Sequence, residues 1–481
     1  MAYKHGITTS EIPTSITPSV TSASVPVVFG TAPINLSKLN NKENPPINVP
    51  VMCFTYSEAV AAFGYSEDWN FTLSEAIKAY FDLFQTSPLV LVNVLDPSKH
   101  KKSIPDQAVP MADGLATIKA QGVLKDTVKV KKDASTYEVD KDYALNFNDS
   151  GELVIQRLPN GIIPADTKEL TVSYAKLDPT AVKPADIIGG IDAEGRPTGL
   201  ELINQVFPRF RVVPGMVVVP GFSSDPTVAA VMTAKVRNIN RVFKCTAITD
   251  IPADMQYTAA PKWSTDNNYT SAGQINCYPK LTLGSKQYHM STQLAGVMAV
   301  TDAANGGVPY VSPSNHNFQA DGAALEDGTE VLLGPDQAQY LNGNGIVTAL
   351  NFIGGWKAWG NRTGAYPAVT DPKDSFIPVR RMMDWIQNTV VMTYWQYLDA
   401  PVTKRMVQAV TDSLNLWMNG LQSQGYILGG RVEFNESENS KVDLMDGKVR
   451  FHIYVTPPSP AEEISFVVEY DANYLSGLFT A

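Results

Sequence analysis

Two spacings of apolar positions divide this chain into segments of different texture. Residues 25–30 (VPVVFG) and 88–95 (PLVLVNVL) are apolar runs of the kind found in strands covered on both faces. Between them Leu73, Ile77, Tyr80 and Phe84 recur at helical spacing. Thr72 stands three residues before Glu75, which predicts a capping box at the start of that helix. The same texture returns after residue 188. VVPGMVVVPGF predicts a strand, PTVAAVMTAKVRNIN a helix with Asp225 as N-cap and Pro226 in its first turn, and VFKCTAIT the next strand. Helices alternating with buried strands predict a layered α/β core.

Between residues 98 and 187 the period changes to two. TVKVKK, STYEVD, ELVIQRL and ELTVSYAKL alternate, separated by the turn formers NDSG (148–151) and PNG (159–161). This predicts a small all-β domain inserted within the core. GGWKAWGNRTGAYPAVTDP, rich in Gly, Pro and Asp, places a boundary near Asp371. Beyond it Met383, Ile386, Val390, Tyr394 and Tyr397 form one helical stripe, and Met406, Val410, Leu414, Trp417 and Leu421 another after Pro401. GGRVEFN and LMDGKVRFHIYV follow, with Asp446 and Gly447 as a hairpin signal. In SPAEEISFVVEY, Ile464, Phe466, Val468 and Tyr470 alternate with Glu463, Ser465, Val467 and Glu469, the pattern of a half-buried strand. Residues 1–24 have no period; Ile7, Ile12, Ile16 and Val20 stand alone among Thr, Ser and Pro, an extended arm that orders only against something else. The expected fold is therefore multidomain α/β and α+β. It comprises an N-terminal arm (1–24), a discontinuous layered α/β core (25–97 plus 188–370), an inserted β-rich outer domain (98–187) and a C-terminal α+β domain with a terminal strand or arm (371–481).

Composition narrows the function classes. With 481 residues, 44% hydrophobic and 18% charged, the chain is long enough for two to four packed cores. Its net charge of −10 and the shortness of its basic runs, KHKK (99–102) and KVKK (129–132), argue against direct nucleic-acid binding, which needs many cations on one surface. The three cysteines, Cys53, Cys245 and Cys277, are far apart and read as small buried apolar residues. The first residues, MAYKHGITTSEIP, hold no signal-peptide pattern, and no apolar run reaches the ~18 residues of a membrane span. Synthesis in a cytosol, solubility and no membrane insertion are the expectations.

No catalytic constellation emerges. The five histidines have neither HxxxH nor HExxH spacing, and no GxSxG elbow exists. GLQSQGYI has the glycines of a phosphate loop without its Lys and Ser/Thr, and reads as a helix stop. Glu462 and Glu463 are adjacent on a strand and so face opposite ways. Trp356, Trp359 and Tyr366 could stack on a sugar, but packing is the plainer reading. Arg380 and Arg381 beside Asp384 read as a structural ion pair at a helix entrance, ahead of an anion grip. The chain is expected to be no enzyme and to carry no metal or cofactor.

Several segments together resemble the contractile phage tail sheath proteins, a family that also includes the sheaths of phage-tail-like bacteriocins. GGWKAWGNRTG followed by FIPVRRMMDWIQNTV is similar to that family's WGxRT turn leading into an arginine-paired helix. LWMNGLQSQGYILGGRVEFN and MDGKVRFHIYVTPPSPAEEISFVVEY follow its C-terminal domain, down to the PAE-x-I-x-F strand. GVPYVSPSN, VVVPGFSSDPTVAAVMTA and the opening GITTSEIPTSITPSVTSASVPVVFGTA have counterparts in order. The likeness runs discontinuously from Gly6 to Phe479 and is not visible across the β-rich insertion. The opening departs from the family's PGVYVEE pattern, being less apolar here.

The resemblance implies a structural subunit that polymerises into a sheath around an inner tail tube. On triggering, the sheath contracts and drives the tube through a host envelope for genome delivery. It implies strand exchange between copies, through Ile7, Ile12 and Ile16 of the arm and Ile464, Phe466 and Val468 of the chain end, with Lys404 and Arg405 as candidate tube contacts. Implied partners are further copies in a helical stack of six-fold rings, the inner tube protein, the baseplate and the tail terminator. The implied location is a virion tail assembled in the host bacterial cytoplasm. The alternatives are the sheath of a bacteriocin or of a secretion or injection apparatus and, from another class, a multidomain cell-wall carbohydrate-active enzyme.

Overall fold

The computed structural model describes residues 23–38, 45–132 and 135–478. Its centre is an eight-stranded sheet in the order Val51–Cys53, Leu89–Asn93, Pro26–Gly30, Met216–Val218, Thr246–Asp250, Gln274–Cys277, Ile346–Asn351, Trp356–Trp359. The six inner strands run parallel and the two outermost antiparallel. Every residue of Pro26–Gly30, Leu89–Asn93 and Thr246–Asp250 is buried, which is why these strands read as unbroken apolar runs. Asp225 caps the helix Pro226–Val236 as its sequence predicts, accepting from the backbone N–H groups of Thr227 and Val228 at 2.8 and 3.2 Å. Cys53, Cys245 and Cys277 are all buried, and burial pushes the Cys53 thiol up to about 12.

The capping box at Thr72 does not form. Phe71 holds the N-cap position of Thr72–Ile77, and the first turn is buried against the end of the central strand. There the Thr72 hydroxyl accepts from Thr31 N–H, and Thr72 N–H donates back to the Thr31 hydroxyl. Glu75 turns away from its own helix to His289. Leu73, Ile77, Tyr80 and Phe84 are buried as their spacing predicts, although the helix widens to a π turn over Lys78–Leu83.

Seven antiparallel strands between Lys101 and Leu177 form a separate sheet. Its alternation is clearest in Glu169–Leu177, where Leu170, Val172 and Tyr174 are buried. These join Val109, Val130, Leu153 and Ile155 in a cluster of their own. The register shifts between Val172 and Tyr174, opposite Pro105, which has no N–H to give a ladder.

Beyond Asp371, which caps the short helix Pro372–Ser375, come two long helices, Ile377–Tyr394 and Lys404–Ser423. They share a cluster of Met382, Trp385, Ile386, Val410, Leu414, Trp417, Met418 and Leu421. The second stripe matches its prediction. Of the first, Ile386 is buried in the cluster and Val390, Tyr394 and Tyr397 pack against it, Met383 is only half-buried, and Met382 and Trp385 join the core beside the stripe. The helix stop at GLQSQGYI is observed, with Gly425 at φ 77° and Tyr426 N–H closing onto the Leu421 carbonyl. Asp446 and Gly447 do not turn a hairpin. They end a short helix, Lys441–Met445, in the same manner, Lys448 N–H reaching the Asp443 carbonyl. The strands Gly429–Glu433 and His452–Thr456 still pair antiparallel.

Candidate assembly surfaces

The C-terminal helices are joined to the core by buried ion pairs. Asp384 receives Arg380 from its own helix at 2.8 Å and Arg237 from the core through both carboxylate oxygens, and Arg380 also reaches Asp374 at 3.0 Å. Arg381 grips Asp302, at the end of the core helix Met290–Ala304, through both terminal nitrogens. Their side chains are 3% and 1% exposed. Asn388 pairs with both backbone groups of Lys244. Arg380 and Arg381 are therefore structural, and their charges are spent on carboxylates.

The same helix also holds the first described residue, Ala23. Ala23 donates its N–H to the Gly307 carbonyl at 3.2 Å, and its own carbonyl accepts from Arg381 at 3.3 Å. Gly215 lies so close that a Cβ there would sit 1.9 Å from the Ala23 oxygen. Ile7, Ile12 and Ile16 lie outside the described residues.

The chain end leaves the body bare. Residues 457–471 enter no sheet, and Ile464, Phe466, Val468 and Tyr470 are 68–94% exposed, as is Val467 on the opposite side. Half-burial of the alternating stretch is thus not met within a single chain. Among the described residues, one side-chain pair ties this segment to the core: Glu462 to Arg362, with Nε to Oε1 at 3.0 Å and Nη2 to Oε2 beside it. Arg362 is held ready by Ser375 Oγ at 3.1 Å and by the rings of Phe376 and Tyr366, 3.7 and 4.4 Å from its guanidinium carbon. Tyr366 thus packs on Arg362, and Trp356 is buried at the sheet edge. Glu462→Gln is expected to leave the melting temperature unchanged, because a partly exposed pair contributes only about 0.2–1 kcal/mol. Protease cleavage within 457–471 should accelerate, and an unchanged rate would show that the pair does not hold the segment.

Lys404 and Arg405 occupy the exposed first turn of their helix, behind the Thr403 cap. Neither forms an ion pair among the described residues. Basic side chains there oppose the helix dipole, so the helix gains nothing from them. The preceding turn exposes Trp395, Leu398 and Val402.

The remaining cluster of polar groups lies at the ends of the central strands. His289 Nδ1 and N–H both meet the buried Glu75 carboxylate, at 2.7 and 2.8 Å, and Asp250 is bonded by Ser223 and Ser291. Burial disfavours the His289 imidazolium, but the charges of Glu75 and Asp250 and the Glu75 hydrogen bond outweigh it, raising its pKa above the ordinary 6.5. A raised folded-state pKa stabilises below the ordinary value and ceases to do so as pH climbs through the raised one. The melting temperature should therefore fall as pH rises from about 6.5, and His289→Gln should flatten that slope in melts between about pH 6 and 9. Every hydrogen-bonding carboxylate here has a protein partner, and no group of three His, Cys, Asp or Glu able to hold a metal exists among the described residues. No helix among them is long and apolar enough to cross a membrane.

The body thus combines buried ionic joints, a pinned Ala23 and a bare alternating segment at 464–470. Residues 369–471 match the phage tail sheath C-terminal domain family. The tail sheath protein of Burkholderia phage BcepMu is 27% identical over 486 residues, covering 98% of both chains. Two solved structures share the fold over 98% of this chain. One is the sheath complex of an extracellular contractile injection system, PVC, in the contracted state (TM-score 0.58, 14% identity, 99% of its length). The other is the helical sheath of the anti-feeding prophage, AFP, also contracted (TM-score 0.58, 15% identity, 100% of its length). The chain is thus similar along nearly its whole length to tail sheath proteins, and its residues 369–471 match that family's C-terminal domain. In this chain the Arg of the WGNRT turn and the Glu of the PAE segment, 100 residues apart, are ion-pair partners.

Proposed function

We propose that copies of this chain polymerise into a helical stack of six-fold rings around an inner tail tube, and that the stack contracts to drive the tube through a host envelope. The observation that carries the reading is the bare alternating segment 464–470, at the end of a domain of the sheath family. Its apolar side chains would be buried, and its main-chain groups paired, when it adds to a neighbour's sheet. An edge that would otherwise invite aggregation then serves assembly. The N-terminal arm, with Ile7, Ile12 and Ile16, would cross to another neighbour from its root at Ala23. Contraction would swing bodies apart while both arms stay engaged, drawing on energy stored at assembly, with no enzyme activity or cofactor.

The division into arm (1–24), core (25–97 and 188–370), outer β-rich domain (98–187) and C-terminal domain (371–481) suits this work. Lys404 and Arg405, without an ion-pair partner among the described residues and beside an apolar turn, would face the tube. Baseplate and tail terminator would close the two ends, with assembly in the host bacterial cytoplasm. A phage tail is favoured over an injection apparatus because the phage relative matches at 27% identity along nearly the whole chain. Electron microscopy of negatively stained protein across a concentration series tests the reading. Hollow striated tubes of uniform width are expected, with inner tube protein added if the chain alone stays dispersed. Single particles under both conditions would overturn it.

A further inference from the structure

The central sheet is built outward in two directions from its middle. From Pro26–Gly30 the chain goes on to Val51–Cys53 and Leu89–Asn93 on one side, and from Met216–Val218 to Thr246–Asp250 and Gln274–Cys277 on the other. Pro26–Gly30 and Met216–Val218 are neighbours, so the direction reverses between them. In open parallel sheets, ligands bind in the crevice beyond the carboxyl ends of the strands at such a reversal. There this sheet carries a cleft of about 740 Å³, a usual size for a small-molecule site. Thr72 lines it beside the end of Pro26–Gly30, Gly221 follows Met216–Val218, Asp250 ends its strand, and Lys280 follows Gln274–Cys277.

The buried carboxylates of the cleft are engaged, while its cations have donors to spare. Glu75 bonds to His289, and Asp250 to Ser223 and Ser291. His289 gives Nδ1 to Glu75 and keeps Nε2 without a hydrogen-bond partner among the described residues. Gly221, at φ 80°, leaves that nitrogen uncovered, since a Cβ there would stand 3.9 Å from it. The Lys280 side chain is 15% exposed, and its one ion-pair partner among the described residues is Glu326, itself 60% exposed. An ammonium carries three N–H donors, so Glu326 does not exhaust it. Lys280 also lies close enough to His289 for its charge to oppose the imidazolium. On the rim, Glu67 is paired with Lys286, and Asp254 is exposed to solvent. An anion between His289 and Lys280 would meet two cationic donors and relieve their repulsion.

We propose that this cleft binds a small organic anion, its carboxylate or phosphate oxygens accepting from His289 Nε2 and Lys280 Nζ. The half-buried Trp69 and Phe222 supply wall for the organic part. Thr180, at the base of the β-rich domain, lines the same cleft, so an occupant ties that domain to the core. The cleft shares no residue with the arm, the chain-end segment or Lys404 and Arg405, and its occupancy is scored apart from tube formation.

The melting temperature of the full chain, followed against increasing inorganic phosphate or succinate with chloride at equal ionic strength as reference, tests this. An anion that binds the folded chain alone raises it. At least one of the two is expected to act on the wild type. Lys280→Met and His289→Gln should each need about tenfold more of it, the usual cost of losing one charge-assisted hydrogen bond. Lys262→Met, which removes an exposed cation outside the cleft, should respond as the wild type does. Action of phosphate alone, or of succinate alone, supports the site and names its oxyanion. If His289→Gln loses its fold, Lys280→Gln joins Lys280→Met in the comparison. An equal response in the wild type and the cleft variants would mark a general salt effect and overturn the proposal. No response beyond that to chloride would overturn it too, and neither result touches the sheath reading, which tube formation decides.

Discussion

Removal of residues 464–481 is expected to abolish tube formation without loosening the fold. Ile464, Phe466, Val467, Val468 and Tyr470 are mostly solvent-exposed, and residues 464–478 add no ladder to the body. Changes at such positions alter stability by no more than about 0.5 kcal/mol, so the melting temperature should hold. Assembly loses far more. An added strand contributes roughly 0.5–1.5 kcal/mol per main-chain hydrogen bond. Each fully buried apolar side chain contributes about 1.5–3 kcal/mol. Several of each exceed the ~1.4 kcal/mol of a tenfold change many times over. Deleting residues 1–18 should have the same outcome through the other arm. Thermal melts by circular dichroism establish folding, and electron microscopy scores the tubes. Tubes of normal length from either truncation would remove that segment from the assembly reading, and a collapsed melting temperature would show that it belongs to the body.

Much of this architecture is legible because it depends on local periodicity. Unbroken apolar runs became the buried central strands, and period-two stretches became the antiparallel sheet between Lys101 and Leu177. The capping box failed through a partner distant in sequence. Glu75 had the spacing of a capping box but found His289, 214 residues on, and the buried first turn left no place for both. The stripe Met383–Ile386–Val390 was a fair helical face. Ile386, Val390, Tyr394 and Tyr397 pack as that face requires, and Met382 and Trp385 join them beside the buried ion pairs of Arg381 and Asp384. Asp446 and Gly447 carry a turn signal that a helix end uses equally well. Arg362 with Glu462, and the Asn415 amide with the backbone N–H and carbonyl of Val432, follow no spacing rule, so neither pairing could be read before the fold placed them together. The resemblance to sheath proteins identified the motifs but not that two of them touch.

Arg381→Met is expected to destabilise the chain by about 3–5 kcal/mol, the usual cost of leaving a buried carboxylate without its partner. Asp302 is 1% exposed, and Arg381 is its one ion-pair partner among the described residues. Relief can come only from protonation or local opening between the helix Ile377–Tyr394 and the core. Pairing the change with Asp302→Leu removes the orphaned charge, and the double variant should recover most of the loss, as apolar replacements of buried ion pairs commonly do. Urea unfolding of the wild type, both single variants and the double variant measures this. A single-variant loss below about 1 kcal/mol would place the pair among the weak surface bridges. The recovered double variant also separates two roles of Arg381. It regains the joint between helix and core, but it cannot restore the hydrogen bond from Arg381 to the Ala23 carbonyl. If the arm must leave the body at a fixed angle to find its neighbour, this stable variant will form fewer tubes than the wild type. If it assembles normally, Gly307 and the close approach of Gly215 are sufficient to set the arm's root.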